Sequence, residues 1–322
     1  MVKGSTSSHL INGDHSLSLP GKLFYFFLNW QNNLFPFQGV EEDFFVGPFV
    51  CSDLKTSWPF LERGVSPARK WADLFIQRFP WERVRDELGP VHVVDVGCGS
   101  GDYGLKLCEW SGNTIDSYHG FDLSFREKWN KISDQEPRCR FAPLNSSALA
   151  GHIPKGTNFF FSHSAIEHFS EDLVFFSHIR DHILSCGQSV VQVHLFPSAA
   201  CLGLYGCHGI RQYTPRTAAK IARLFAPFSN AALFGLGGRE SVRIHQKYIR
   251  RSLWGRGRDE RSSRESEYDR DLFQAMQKDM AAPSWRDPHY YALVIHSYPK
   301  RFVFDGISGS STAGENSFGG GF

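Results

Sequence analysis

The segment that most restricts the fold is Val93-Val94-Asp95-Val96-Gly97-Cys98-Gly99-Ser100-Gly101-Asp102. VHVVDV (91–96) reads as a strand, and the glycines then turn the chain into a helix running through Glu109. A strand, a glycine-rich turn and a helix make a ligand cradle. Glycine lets the backbone approach a ligand closely, and the helix N-terminus offers free N–H groups carrying partial positive charge.

The rest of the chain keeps the same rhythm. SYHGFD (117–122), CRFAPL (139–144), TNFFFS (157–162), SVVQVHLF (189–196), AALFGLG (231–237) and YYALVIHSY (290–298) read as further strands. Helices are expected from about Glu171 to Leu184 and from Thr214-Pro215 through Phe225. This alternation predicts an α/β fold with a doubly wound, mostly parallel, Rossmann-like sheet covered on both faces. With 322 residues, 41% hydrophobic and 21% charged, the chain can fill such a core, and wholesale disorder is excluded.

Four regions follow from the pattern. Residues 1–20 and 305–322 are rich in Ser, Gly or His and read as disordered tails. Residues 21–90 read as an aromatic, helical N-terminal cap. FYFFLNW, NLFPF and DFFVGPF are interrupted by Pro36, Gly39, Gly47 and Pro48, so they cannot form one helix. Ser66-Pro67 then opens a helix with Trp71, Leu74, Phe75 and Phe79 at helical spacing. Residues 91–304 form the main domain, interrupted by an insertion at 239–289. The insertion is rich in Arg, with acids interspersed. It is read as a solvated surface that, given its length, could also close over a substrate.

The net charge of +2 is too balanced for a protein that coats nucleic acid. No window approaches a membrane span, and the first twenty residues lack a basic start followed by an apolar run. Seven cysteines, an odd number without Cys-x-x-Cys spacing, fit a reduced, cytoplasmic setting.

Gly99-Ser100-Gly101-Asp102-Tyr103-Gly104 is formally a G-x-G-x-x-G, so a nicotinamide-dependent oxidoreductase is an alternative. In that motif the first glycine follows the strand directly, whereas here the strand meets Gly97. Asp95 would also repel a pyrophosphate. It suits a ligand with an ammonium group near the turn.

Three later segments extend the pattern: Gly120-Phe121-Asp122-Leu123-Ser124, Asn145 after the third strand, and the run from Asn158 through Ser162 to Glu167-His168. In this order they resemble the motif series of class I S-adenosylmethionine-dependent methyltransferases, firmly over 91–196 and loosely over 67–298. The resemblance implies that S-adenosyl-L-methionine is the cofactor and that Asp95 faces its amine. It implies that the backbone of Gly97, Cys98, Gly99 and Gly101 wraps the amino-acid moiety. It further implies that Asp122, followed by Leu123, holds the ribose, that Asn145 meets the adenine, and that Ser162 lies near the reactive end. Cys186-Gly187-Gln188 departs from the Pro-Gly-Gly usual before the fifth strand. Plainer local roles coexist with these: Asp102 as a helix N-cap, Ser124 to Glu127 as a capping box, Asn145 as a turn residue.

Methyl transfer needs alignment and, for a hydroxyl acceptor, a base. Of fourteen histidines, His163, His168, His194 and His208 fall near the expected site. His163, directly after the fourth strand, is the first choice as catalytic base, followed by His194 and His208. Arg211 and Tyr213 are expected to anchor a hydroxylated or phosphorylated small-molecule substrate. Some O-methyltransferases hold a divalent cation with Glu-x-x-Glu-His. Ser164 replaces the first acid here, so no metal is expected. The resulting expectation is O-methylation of a polar small molecule, without nucleic acid. The second alternative is a relative that binds the cofactor without catalysis.

Overall fold

The computed structural model describes residues 4–7, 18–205, 211–250 and 258–300. The main sheet is built from β1 (Phe45–Pro48), β2 (Val91–Val96), β3 (Ile115–Asp122), β4 (Cys139–Pro143), β5 (Phe159–His163), β6 (Val190–Pro197) and β7 (Ser229–Leu236). After a two-stranded ladder of β8 (Ile249–Arg250) and β9 (Arg258–Asp259), the main sheet is completed by β10 (Tyr290–Ser297). Its order is β1-β7-β10-β6-β5-β2-β3-β4. β10 runs antiparallel to β6 and β7, and the other pairings are parallel.

Both faces are covered, so the central strands are mostly apolar and β6 and β10 are buried at every position. Val93, Phe161, Trp71, Phe75 and Leu272 belong to one core layer, beneath the helices Pro67–Gln77, Asp102–Trp110 and Glu265–Ala281. Val94, Phe160, Phe176 and Ile221 belong to the other, beneath Asp172–Cys186 and Pro215–Ala222. The result is the doubly wound, mostly parallel, Rossmann-like fold of the class I methyltransferase type. Helix starts follow the sequence signals. Ser66 Oγ accepts from the Arg69 N–H at 3.3 Å, with Pro67 in the first turn. Thr214 and Thr217 form a reciprocal cap for Pro215–Ala222.

Several expectations are corrected. The N-terminal region is more than a cap, since β1 adds an edge strand parallel to β7, with Phe45 opposite Ala232. Pro48 is tolerated there because it closes an edge strand. The described residues of the 239–289 insertion form a packed layer and not a loose lid. Its helices Arg239–Tyr248 and Glu265–Ala281 bury Tyr248, Tyr268, Leu272 and Met276 in the core shared with Trp71. Trp71 Nε1 donates to Ser241 Oγ at 2.8 Å, and Asp279 accepts from the Gly238, Glu240 and Ser241 N–H groups, capping the first helix. Many of the described basic residues of this layer meet carboxylates, as in Lys247–Asp271 and Arg261–Asp259, both at 2.7 Å.

Residues 4–7 were expected within a disordered tail. Ser5, Thr6 and Ser7 are instead buried, held by polar contacts that hydropathy does not register. The 305–322 tail lies outside the described residues. Gly101, not Asp102, is the N-cap of Asp102–Trp110, and Asp102 pairs with Lys128 and Ser100. The Ser124–Glu127 box does not form, because the next helix starts at Lys128 without a side-chain cap.

Candidate functional site

From β2 the chain proceeds outward to β3 and β4, then returns across β2 to lay down β5 on its other side. At such a reversal the connections diverge and leave a crevice above the carboxyl ends of the strands. A cavity of about 410 Å³ occupies this place. Gly97 ends the β2 side, Asp122 and Leu123 the β3 side, Asn145 the β4 side, and Ser164 and Ala165 the β5 side.

The turn has the backbone the glycines predict. Gly97 has φ +81°, and a Cβ there would collide with the Cβ of Ala165, so the ends of β2 and β5 meet too closely for any side chain. Gly101 has φ +86°, and a Cβ there would come within 2.7 Å of the Phe141 ring. The Gly97 and Cys98 N–H groups both donate to the Phe121 carbonyl, at 2.7 and 3.0 Å, tying the turn to the end of β3. The Gly99 N–H donates to Asp122 Oδ2 at 2.8 Å, which holds this half-buried carboxylate at the cavity edge. Asn145 lines the cavity and is also a turn residue, its Oδ1 accepting from the Ser147 N–H at 3.0 Å. Cys98 is buried behind the turn.

Asp95 is buried beneath the turn. Tyr118 OH donates to its Oδ2 at 2.5 Å, while Oδ1 has no hydrogen-bond partner among the described residues. Burial pushes its pKa up to about 7, against the Tyr118 hydrogen bond, with Asp122 adding to the rise. An orphaned carboxylate oxygen beside a glycine cradle fits a ligand that brings a cation. The residues present therefore fit the ammonium and ribose ends of S-adenosylmethionine.

His163 closes β5, buried, with its ring 4.7 Å from that of Tyr103 and 5.9 Å from that of Tyr290. Its Nε2 has no partner among the described residues. Burial, with the positive charges of Arg69 and Lys106, holds the ring well below the usual histidine pKa, so it is neutral. Tyr103 is fixed in turn, its hydroxyl donating to buried Asp73 at 2.6 Å, and Lys106 reaches the same carboxylate at 3.0 Å. Next to His163, Ser164 has φ +51°, a strained conformation for serine, and its hydroxyl meets that of Tyr290.

Of the expected site residues, Gly97, Asp122, Leu123 and Asn145 line this cavity, Asp95, Cys98, Gly99, Gly101 and His163 lie outside its lining, and four more are engaged elsewhere. His194 is fully buried against Phe175 and Phe176, with Nδ1 2.8 Å from Ser162 Oγ. Ser162, engaged there, does not line the cavity either. Both lie on the opposite face of the sheet from His163, because Ser162 pairs with His194 while His163 pairs with Leu195. Arg211 is not a substrate anchor. It ion-pairs with buried Asp172 at 3.3 Å and donates to Ser5, Ser7 and the Phe169 and Ser170 carbonyls. The Tyr213 hydroxyl donates to Asp172 at 2.9 Å and contacts the Ile166 carbonyl at 3.2 Å. His208 lies outside the described residues.

Arg126, Ala165, Phe169 and Ser170 line the cavity without having been singled out from sequence, and Ser164 and His168, the latter expected near the site, line it too. Their shared signal is position within a few residues of a strand's carboxyl end. Among the described residues, no group of three or more His, Cys, Asp or Glu side chains could hold a metal ion. No helix of the described residues is long and apolar enough to cross a membrane.

No family model and no curated protein matches the chain. Among solved structures, it is similar to the plantazolicin methyltransferase BamL in complex with a triazolic desmethylPZN analog and SAH. That match has 13% identity over 87% of this chain and 98% of that one, with a TM-score of 0.41. A SAM dependent methyltransferase from Archaeoglobus fulgidus aligns at 16% identity over 69% and 94%, with a TM-score of 0.38. The O-methyltransferase NcsB1 from neocarzinostatin biosynthesis aligns at 17% over 45% of each chain, with a TM-score of 0.34. These likenesses are distant. The class of the fold rests on the strand order and the glycine turn.

Proposed function

We propose that the protein is an S-adenosylmethionine-dependent methyltransferase acting on oxygen of a polar small molecule. The observation that carries this reading is the cavity at the β2–β5 reversal. There Asp122 is held by the Gly99 N–H, and Asp95 keeps a buried oxygen unpartnered nearby. When bound, the cofactor supplies an electrophilic methyl group on sulfur. Asp122 accepts ribose hydroxyls, Asp95 meets the ammonium group, and Asn145 and Leu123 flank the adenine. Our candidate to take the acceptor's proton is His163 at the end of β5, which is neutral and whose Nε2 has no partner among the described residues. Its low pKa makes it a weak base that stays in the accepting form through neutral pH.

The test is calorimetric titration with S-adenosylhomocysteine. Wild type should bind, and Asp122→Ala should lose at least tenfold in affinity, as expected when a ligand hydroxyl loses a carboxylate acceptor, roughly 1.5–3 kcal/mol. Absence of binding by wild type ends the reading. NADH titration followed by fluorescence tests the oxidoreductase alternative, and turnover with any acceptor removes the non-catalytic one.

A further inference from the structure

The cavity wall after β5 is held from behind by residues 4–7. Arg211 donates to the Phe169 carbonyl at 2.7 Å and to the Ser170 carbonyl at 3.0 Å, and both residues line the cavity. The same guanidinium donates to Ser7 Oγ at 2.7 Å and to Ser5 Oγ at 3.0 Å. Thr6 contributes on the other side, donating from N–H and hydroxyl to the two Asp172 oxygens at 2.8 and 2.5 Å. The Gly4 carbonyl accepts from the Leu173 N–H at 3.1 Å, at the start of a helix whose N-cap, Glu171, makes no side-chain cap. Lys220 Nζ completes the set by donating to the Thr6 carbonyl at 2.6 Å.

We propose that Gly4–Ser7 is a strap that positions the β5-side wall of the cavity, so that cofactor affinity depends on residues 4–7 although none of them lines the site. This rests on the reading of the cavity as the cofactor site. Arg211 and Asp172 are both buried, and the strap supplies two acceptors to the first and two donors to the second. Without it these charges keep each other but lose four partners in a low-dielectric setting. The relief available to them is movement or hydration of the 166–172 segment, whose His168, Phe169 and Ser170 line the wall. Thr6, Ser5 and Ser7 are therefore positioning residues acting through Arg211 and Asp172.

The experiment compares wild type, a chain starting at residue 8, Thr6→Val, and the Ser5→Ala/Ser7→Ala pair. S-adenosylhomocysteine calorimetry is read beside amide hydrogen exchange. All three variants should bind more weakly, the truncation by roughly tenfold, equivalent to about one charged hydrogen bond. Exchange should rise at 166–171 and Leu173 and stay unchanged in β2 and β6. Affinity within twofold of wild type in all variants, with unaltered exchange at 166–171, overturns the strap. A truncated chain that fails to fold leaves the two point variants to decide. If wild type takes no S-adenosylhomocysteine, the cofactor reading fails. The strap then stands or falls on the exchange pattern alone.

Discussion

The two faces of the sheet at the β5–β6 pair carry a histidine each, and they could hardly be treated more differently. His163 sits between two tyrosine rings at the end of β5, with one ring nitrogen unpartnered among the described residues. His194 lies one residue away in register, sealed between a helix and the sheet, with Ser162 on one nitrogen and Gln192 3.4 Å from the other. Burial depresses both pKa values, so acidity does not separate them. Partnering does. A buried nitrogen whose bonds are made belongs to the framework, and one left open at a strand end is available to a ligand.

The largest effect that can break this contrast is on rate. His163→Ala should cut methyl transfer by about 10²–10⁴-fold while S-adenosylhomocysteine affinity stays within twofold. It is measured as label transfer from S-adenosylmethionine into a small-molecule extract. Nearly full activity would move His163 into the same class as His194, or point to an acceptor that needs no base.

Next comes stability. His194→Ala removes a fully buried ring and strands the Ser162 hydroxyl, which should cost about 3 kcal/mol at pH 7 in denaturant unfolding. Cofactor affinity of the folded fraction should not change. The pH dependence has a definite sign. Burial puts the folded pKa of His194 at about 3, below the unfolded value near 6.5, so the unfolded chain binds the extra proton between them. Its contribution is complete above about pH 6.5 and is lost as pH falls toward 3. His194→Ala should therefore flatten the acid limb of the stability curve.

The smallest effect lies on the His163 face, where Asp95 pairs with Phe161, two residues before His163. Here the folded pKa, about 7, is raised above the unfolded carboxylate value. Its contribution is present below about pH 4 and is lost as pH rises through about 7. Asp95→Asn should gain about 1 kcal/mol at pH 8, nothing at pH 4, and weaken S-adenosylhomocysteine. A variant less stable at pH 8 would show that Asp95 serves the framework.

What could be read from the sequence follows the same division. The β2 turn, Asp122 and Asn145 were legible because each is a local signal tied to a strand end, and the period of the strands gave the sheet. The roles of Arg211 and Tyr213 were not, since an arginine beside a tyrosine looks the same whether it faces a ligand or a buried aspartate 39 positions away in sequence. Nothing near Arg211 announces Asp172, Ser5 or Ser7 as its partners. β1 was hidden for a related reason: four residues containing Gly47 and Pro48 have no strand signature until β7 offers them an edge. His194 was misread through one register step, because periodicity shows that residues alternate but not which face is occupied by the site.

The cysteine among the glycines has a chemical consequence of its own. Thiols react with oxidants and alkylating agents as thiolates. Burial, with Asp95 and Asp122 close by, pushes the Cys98 thiol far up. The buried Cys98 thiol should therefore react slowly with peroxide and iodoacetamide, with the half-buried Cys51 and Cys186 expected to react first among the described cysteines. A sulfur buried behind the turn is thereby kept from the commonest chemistry of thiols.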